Sequence, residues 1–146
     1  MTLVIGRGAL AGIARAAEAA YPEECCGLLL GRREGGRFMV ARVVATANVA
    51  EGDRRRRFEV DPRALVAAHR GSRDSGETVI GHYHSHPKGP ALPSDEDRAR
   101  AFDAGQLWLI VPVTAAGAGA PRAWLLHGDS DVAEEIAIDA AAEGAA

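Results

Sequence analysis

Thr78-Val79-Ile80-Gly81-His82-Tyr83-His84-Ser85-His86-Pro87 is the stretch on which the reading of this 146-residue chain turns; six residues then lead to Ser94, and two more separate Ser94 from Asp97. The apolar, β-branched opening predicts a strand, and the strand period of two puts the three imidazoles on one face. His82 and His86 stand about 13 Å apart on an extended chain, too far to share one ion whose nitrogen ligands lie about 2 Å away. A neighbouring pair must be chosen, either His82 with His84 or His84 with His86. Pro87 ends the ladder directly after His86, and the loop over residues 88–93 is long enough to bring the next helix's first turn back over the site. That selects His84 and His86 and makes Asp97 the third ligand. Two neutral histidines and one carboxylate leave a fourth position open for water, as catalytic zinc requires; a structural zinc takes four protein ligands. The expectation is one Zn2+ per chain. Ser94 with Asp97 three residues on is by itself an ordinary capping pattern; its combination with His-Ser-His-Pro is what points to a metal site.

Outward from this stretch, Leu3-Val4-Ile5 reads as a short strand. Leu10, Ile13, Ala14, Ala17 and Tyr21 recur at helical spacing over residues 9–20 until Pro22 stops them. The apolar run 26–31, the turn Glu34-Gly35-Gly36 and the β-branched run 38–49 form a hairpin signature. Asp61 is an N-cap with Pro62 at the first helical position, predicting a helix to about Arg70 and a polar loop over 71–77. Downstream, Ser94 opens a helix with Ala99 and Phe102 facing inward and Gly105 as its stop. Strands are expected over 107–113 and 122–127, joined by the loop 115–121. Residues 132–138 fit strand or helix, and 140–146 read as a flexible tail. The fold class is therefore α/β, a mixed β-sheet packed by about three helices, in one domain over residues 1–139.

Composition narrows the function. Apolar residues make up 47% and charged residues 25%, ordinary globular usage that argues against disorder and coiled coil. With 17 Lys and Arg against 20 Asp and Glu, the net charge of −3 offers no electrostatic footprint for nucleic acid. The longest apolar run, 107–113, is strand length, so no membrane span is expected. Leu3-Val4-Ile5 is too short for the core of a signal peptide. Cys25 and Cys26 are adjacent, a poor geometry for a disulfide, which fits a reducing cytoplasm.

His84-Ser85-His86-Pro87 with Ser94 and Asp97 resembles the signature of the JAMM (MPN+) zinc metallopeptidases. The resemblance extends to the segment Pro22-Glu23-Glu24-Cys25-Cys26-Gly27, to Phe58 and to Asp61-Pro62. It spans from about Leu3 to Trp124 and is nearest the small single-domain bacterial members. It implies an MPN/JAMM, cytidine-deaminase-like architecture. It also implies a zinc-dependent metallopeptidase or isopeptidase that hydrolyses an amide at the C-terminal tail of a protein substrate, with a ubiquitin-like sulfur-carrier protein as partner. By the same resemblance Glu24 is the catalytic carboxylate and Ser94 stabilises the oxyanion; the residues alone do not separate Glu24 from Glu23. An extended tail could reach such a site by adding to a sheet edge.

His82 stands where the family commonly has an apolar or aromatic residue, and it is read as a strand histidine satisfied by a neighbour. Cys25 and Cys26 are read as small buried hydrophobes, Arg54-Arg55-Arg56-Arg57 as a solvated loop, and Trp108 and Trp124 as packing. The rival function is a non-catalytic MPN-type interaction scaffold, whose mark would be missing ligands. A zinc nucleobase deaminase would need His-x-Glu and Pro-Cys-x-x-Cys, and the chain has neither.

Overall fold

The computed structural model describes residues 1–95, 97, 107–127 and 132–141. Its elements are β1 (Thr2–Gly6), α1 (Arg7–Ala20), β2 (Cys26–Glu34), β3 (Arg37–Thr46), α2 (Pro62–Ser75), β4 (Thr78–Pro87), β5 (Leu107–Thr114), β6 (Gly117–Ala118), β7 (Arg122–Leu126) and β8 (Ala133–Ala141). The strands form one mixed sheet in the order β4-β2-β3-β1-β8-β7-β5-β6, and a further pairing of β4 with β5 closes it on itself. β1 runs parallel to β3 and β8, and β4 parallel to β5; the other pairings are antiparallel. The mixed α/β class is as expected.

Closure gives the site strand its rigidity. β4 is paired with β2 along one edge as far as His84 and with β5 along the other, so a tail finds no free edge to extend over that length. The β2 ladder ends at Cys26 and His84, and reciprocal bonds between Cys25 and Ser85 continue it by one step. Only His86 and Pro87 project past it. Inside the closed sheet lies a core that includes Leu3, Ile5, Leu29, Tyr83, Leu109 and Leu125. Between Leu29 and Leu30 the β2–β4 register shifts, which is how Ile80 and Tyr83, an odd number of residues apart, both reach that core. Tyr83 lies across Gly27, where any Cβ would come within 2.3 Å of its ring; a glycine there lets β2 and β4 approach with the tyrosine between them.

Most differences from expectation lie at boundaries; one does not, since Gly117–Ala118 of the expected loop 115–121 form the short strand β6 against β5. α2 continues through Ser75, so most of the expected loop over 71–77 is helical. Its last turn buries nothing apolar, leaving no periodic signal, but Gly76 ends it in the left-handed conformation with its N–H on the Ser72 carbonyl. At the start of α2, Asp61 accepts from the Arg63 N–H, with Pro62 in the first turn, as expected. β3 stops at Thr46, short of Val49, and Asn48 makes an isolated bridge to Val60. Residues 133–141 are strand: Ala140 and Ala141, assigned from sequence to the tail, pair with Ile5 and Gly6 of β1. Residues 142–146 lie outside the described residues. So does most of the expected third helix over 94–105, including Ala99, Phe102 and Gly105; at its start Asp95 and Asp97 are helical. No helix among the described residues is long and apolar enough to cross a membrane.

Candidate metal centre

β4 delivers two of the three expected ligands from consecutive positions on one face, and the start of the following helix delivers the third. His84 Nε2 lies 3.2 Å from His86 Nε2 and 3.2 Å from Asp97 Oδ2, and His86 Nε2 lies 2.8 Å from the same oxygen. Three ligand atoms held tetrahedrally at zinc-like bond lengths of about 2.0–2.1 Å are about 3.3 Å apart. The triangle is thus nearly one face of such a polyhedron. Glu24 joins it: one ligand atom from each of Glu24, His84, His86 and Asp97 lies within 4.8 Å of all the others, and all four residues are buried. Glu23 is exposed, so burial separates the two glutamates that sequence alone left equal.

Local structure orients each group. Ser94 and Asp97 form a reciprocal cap, the Ser94 N–H donating to Asp97 Oδ2 at 2.9 Å and the Asp97 N–H to Ser94 Oγ at 3.0 Å. Because that contact uses a lone pair of Ser94 Oγ, the hydroxyl proton stays available to a second acceptor. His86 Nδ1 donates to the Pro90 carbonyl at 2.8 Å, which fixes the tautomer with a lone pair on Nε2 facing the centre. The loop carrying that carbonyl is pinned at the next residue, where Trp124 Nε1 donates to the Ala91 carbonyl at 2.8 Å. Phe58 stacks on the His84 ring at 4.2 Å and 17°, and Trp108 meets it edge-on at 5.9 Å. Sequence reading missed the Pro90 carbonyl, because a main-chain ligand holder leaves no side-chain signature, and it took Trp108 and Trp124 as packing alone.

Electrostatics suit a cation. Burial drives the His84 pKa down, favouring the neutral form that ligates. Burial likewise opposes the charge on His86, but the hydrogen bond and negative charge of Asp97 outweigh it and hold its pKa above the ordinary value. Burial works against the Asp97 charge, but hydrogen bonds from the two histidines and from the Ser94 N–H hold its pKa below the usual carboxylate range.

His82 is not in the group of metal-competent residues. It sits beside Phe58, 5.2 Å between ring centroids, and Trp108, 5.0 Å, so its neighbours are aromatic faces in place of the hydrogen-bond partner expected from sequence. Burial, aided by the charge of His84, pushes its pKa down to about 3 from 6.5. Below pH 6.5 the unfolded chain therefore takes a proton that the folded chain refuses, and stability is lost as pH falls toward the folded value. His82→Phe removes that liability. Its stability relative to wild type, measured by urea unfolding, is expected to rise by about 2 kcal/mol between pH 8 and pH 5, with bound metal unchanged. A pH-independent difference, or loss of metal, would count against this placement of His82.

The remaining candidates fit the plainer readings in part: Cys26 is buried and Cys25 half-buried, and Arg54 to Arg56 are exposed while Arg57 is half-buried. Cys25 and Cys26 are free thiols, and burial raises both, Cys26 to about 11. In the arginine run, Arg55 and Arg56 share Asp53, with side chains 66% and 85% exposed.

Comparison with known proteins points the same way. The family model described as prokaryotic homologs of the JAB domain matches residues 7–127. A desampylase of Haloferax volcanii is 36% identical over 89 residues, 61% of this chain and 62% of the relative; the match thus spans under two thirds of that protein. A probable TtuB-protein conjugate cleaving protease of Thermus thermophilus is 38% identical over 112 residues, 77% of this chain and 68% of the relative. Among solved structures, protein DSY2949 from Desulfitobacterium hafniense superposes with a TM-score of 0.82 at 32% identity, covering 98% of this chain and 94% of that one. The JAB1/MPN domain protein AF2198 from Archaeoglobus fulgidus shares the fold at a TM-score of 0.57 and 21% identity, over 94% of this chain and 98% of that one.

Proposed function

The chain belongs to the prokaryotic JAB-domain family, and from that premise we propose that it is a zinc-dependent metallopeptidase of the JAMM type, cleaving an amide at the C-terminal tail of a ubiquitin-like sulfur-carrier protein. The observation that carries the reading is the buried convergence of His84, His86 and Asp97 with Glu24 beside them. The ligand set is nitrogen and oxygen with a single anion, the donor chemistry of a catalytic zinc. His84, His86 and Asp97 would hold the ion. When bound, zinc supplies a Lewis acid for the scissile carbonyl and lowers the pKa of water toward neutrality.

The protein's own groups supply the rest. Glu24, buried next to the ligand triangle, takes the proton of the attacking water and returns it to the departing amine, so one carboxylate serves both steps. Ser94 offers its hydroxyl proton to the oxygen that gains charge in the tetrahedral intermediate; its lone pair is already committed to the Asp97 N–H, which holds the hydroxyl in place. The tail would enter over His86 and Pro87, beyond the end of the β2 ladder, since both edges of β4 are occupied deeper in the sheet. The substrate class rests on the family resemblance and on the Thermus relative's name as a conjugate-cleaving protease. Two free cysteines suit a reducing, cytoplasmic setting.

The test is elemental analysis of the purified chain together with cleavage of a sulfur-carrier fusion whose C-terminal diglycine is joined by an amide to a reporter. One zinc per chain is expected, with cleavage abolished by a chelator and restored by zinc. A chain that takes up no zinc when supplied with it would be a scaffold, and the proposal would fail.

A further inference from the structure

Glu24 belongs to no helix or strand; it lies in the segment between α1 and β2. A carboxylate that must move a proton cannot wander, because misplacement by about 1 Å costs on the order of 100-fold in rate. Contacts other than its own helix or strand pairing must hold it. One anchor is β4: the Cys25 N–H donates to Ser85 Oγ at 2.8 Å and the Ser85 N–H to the Cys25 carbonyl at 3.1 Å. This secures the residue after Glu24.

The second anchor is Asn48, two residues past the end of β3. Its amide uses every hydrogen-bonding position it has. Nδ2 donates to the Glu24 and Arg57 carbonyls, both at 3.0 Å, while Oδ1 accepts the N–H groups of Ala50 and Glu59, both at 3.1 Å. The two carbonyls and two N–H groups leave one possible orientation of the amide. The loop so formed reaches Glu24 a second time, the Glu24 N–H donating to the Arg54 carbonyl at 2.8 Å. Both main-chain polar groups of Glu24 are therefore held by the loop that Asn48 organises. We propose that Asn48 is a positioning residue: it locks the 48–59 loop to the main chain of Glu24 and through it aims the carboxylate at the metal centre.

The inference rests on the catalytic role proposed for Glu24, and the experiment keeps the two apart. Asn48→Asp leaves the acceptor arm toward Ala50 and Glu59 but sets a carboxylate oxygen against the Glu24 and Arg57 carbonyls, breaking the arm in question. With the diglycine fusion as substrate, kcat is expected to fall about 10- to 100-fold while KM stays within about twofold and zinc remains one per chain. Amide hydrogen exchange followed by NMR is the readout independent of activity. The Glu24 amide should exchange at least about 10-fold faster in the variant, with the amides of Tyr83 and Leu109 unchanged. Wild-type kcat, wild-type exchange at Glu24, or acceleration spread evenly over the sheet would each overturn the proposal, the last by making Asn48 a general stabiliser. Should Asn48→Asp fail to fold, Asn48→Ser, which withdraws both arms without adding charge, takes its place, and the same comparison applies. If wild type cleaves no fusion, the proposed activity falls, and the exchange comparison decides on Asn48 alone.

Discussion

Glu24→Gln is expected to bind zinc as wild type does and to lose turnover by a factor of about 100 to 10,000, the range that a positioned general base contributes. The substitution keeps the shape of the side chain and removes only its capacity to take a proton. The ligand triangle of His84, His86 and Asp97 is left intact, and no ligand has to move. Packing should be retained, because the amide has the size of the carboxylate it replaces. The parallel change at Glu23, exposed and outside the group, is the internal control and should alter the rate less than twofold. Elemental analysis and single-turnover cleavage on the three proteins decide the matter. A Glu24→Gln enzyme that cleaves at the wild-type rate removes Glu24 from the mechanism, and one that loses its zinc turns it from a base into a ligand.

How legible this site was depends on how far along the chain its parts lie. His84, His86 and Asp97 fall within one strand, one loop and one helical turn, so spacing alone could single out the three residues that the fold brings together. Glu24 lies 60 residues away from His84, and only the family resemblance distinguished it from Glu23; the distinction is physical, one side chain buried against the ligands and the other in solvent. Asn48 and the Pro90 carbonyl could not be read in advance. The first is one asparagine in a loop whose partners are main-chain groups, and the second is a main-chain group itself. In the fold, periodicity identified α1, the Asp61-Pro62 cap identified α2, and apolar runs bounded by turn residues identified most strands; β6 fell inside the expected loop 115–121, and β8 was left between strand and helix. The last turn of α2 escaped because Ser72, Arg73, Asp74 and Ser75 bury nothing apolar, and its end is set by the backbone of Gly76. Closure of the sheet escaped for a different reason. The parallel pairing of β4 with β5 joins runs separated by a helix-length connection, and nothing local in either run names its partner. The consequence for function is concrete, since closure leaves a substrate strand no free edge on β4 before His86.

Asp97→Ala should empty the site. Asp97 supplies the only anion among the three proposed ligands, and its Oδ2 lies within 3.2 Å of both histidine nitrogens. Two neutral imidazoles in a buried pocket leave a divalent cation without charge compensation, so zinc affinity should fall by more than the 10- to 100-fold that loss of a supporting group costs. Alanine also deprives the Ser94 N–H of its acceptor and leaves half of the cap, at a cost of about 1 kcal/mol in stability. Loss of metal by Asp97→Ala alone could therefore be blamed on a loosened helix start. Asp97→Asn removes the ambiguity. The amide oxygen can still accept from Ser94, and the main-chain N–H can still donate to Ser94 Oγ, so the cap survives while the charge and its basic oxygen are gone. Elemental analysis after dialysis against a weak chelator should find little zinc in either variant, with the thermal midpoint of apo Asp97→Asn close to that of apo wild type. Full zinc occupancy in Asp97→Asn would mean that the carboxylate caps the helix and does not ligate. The third ligand would then have to be sought at Glu24, the other carboxylate within reach of both histidines.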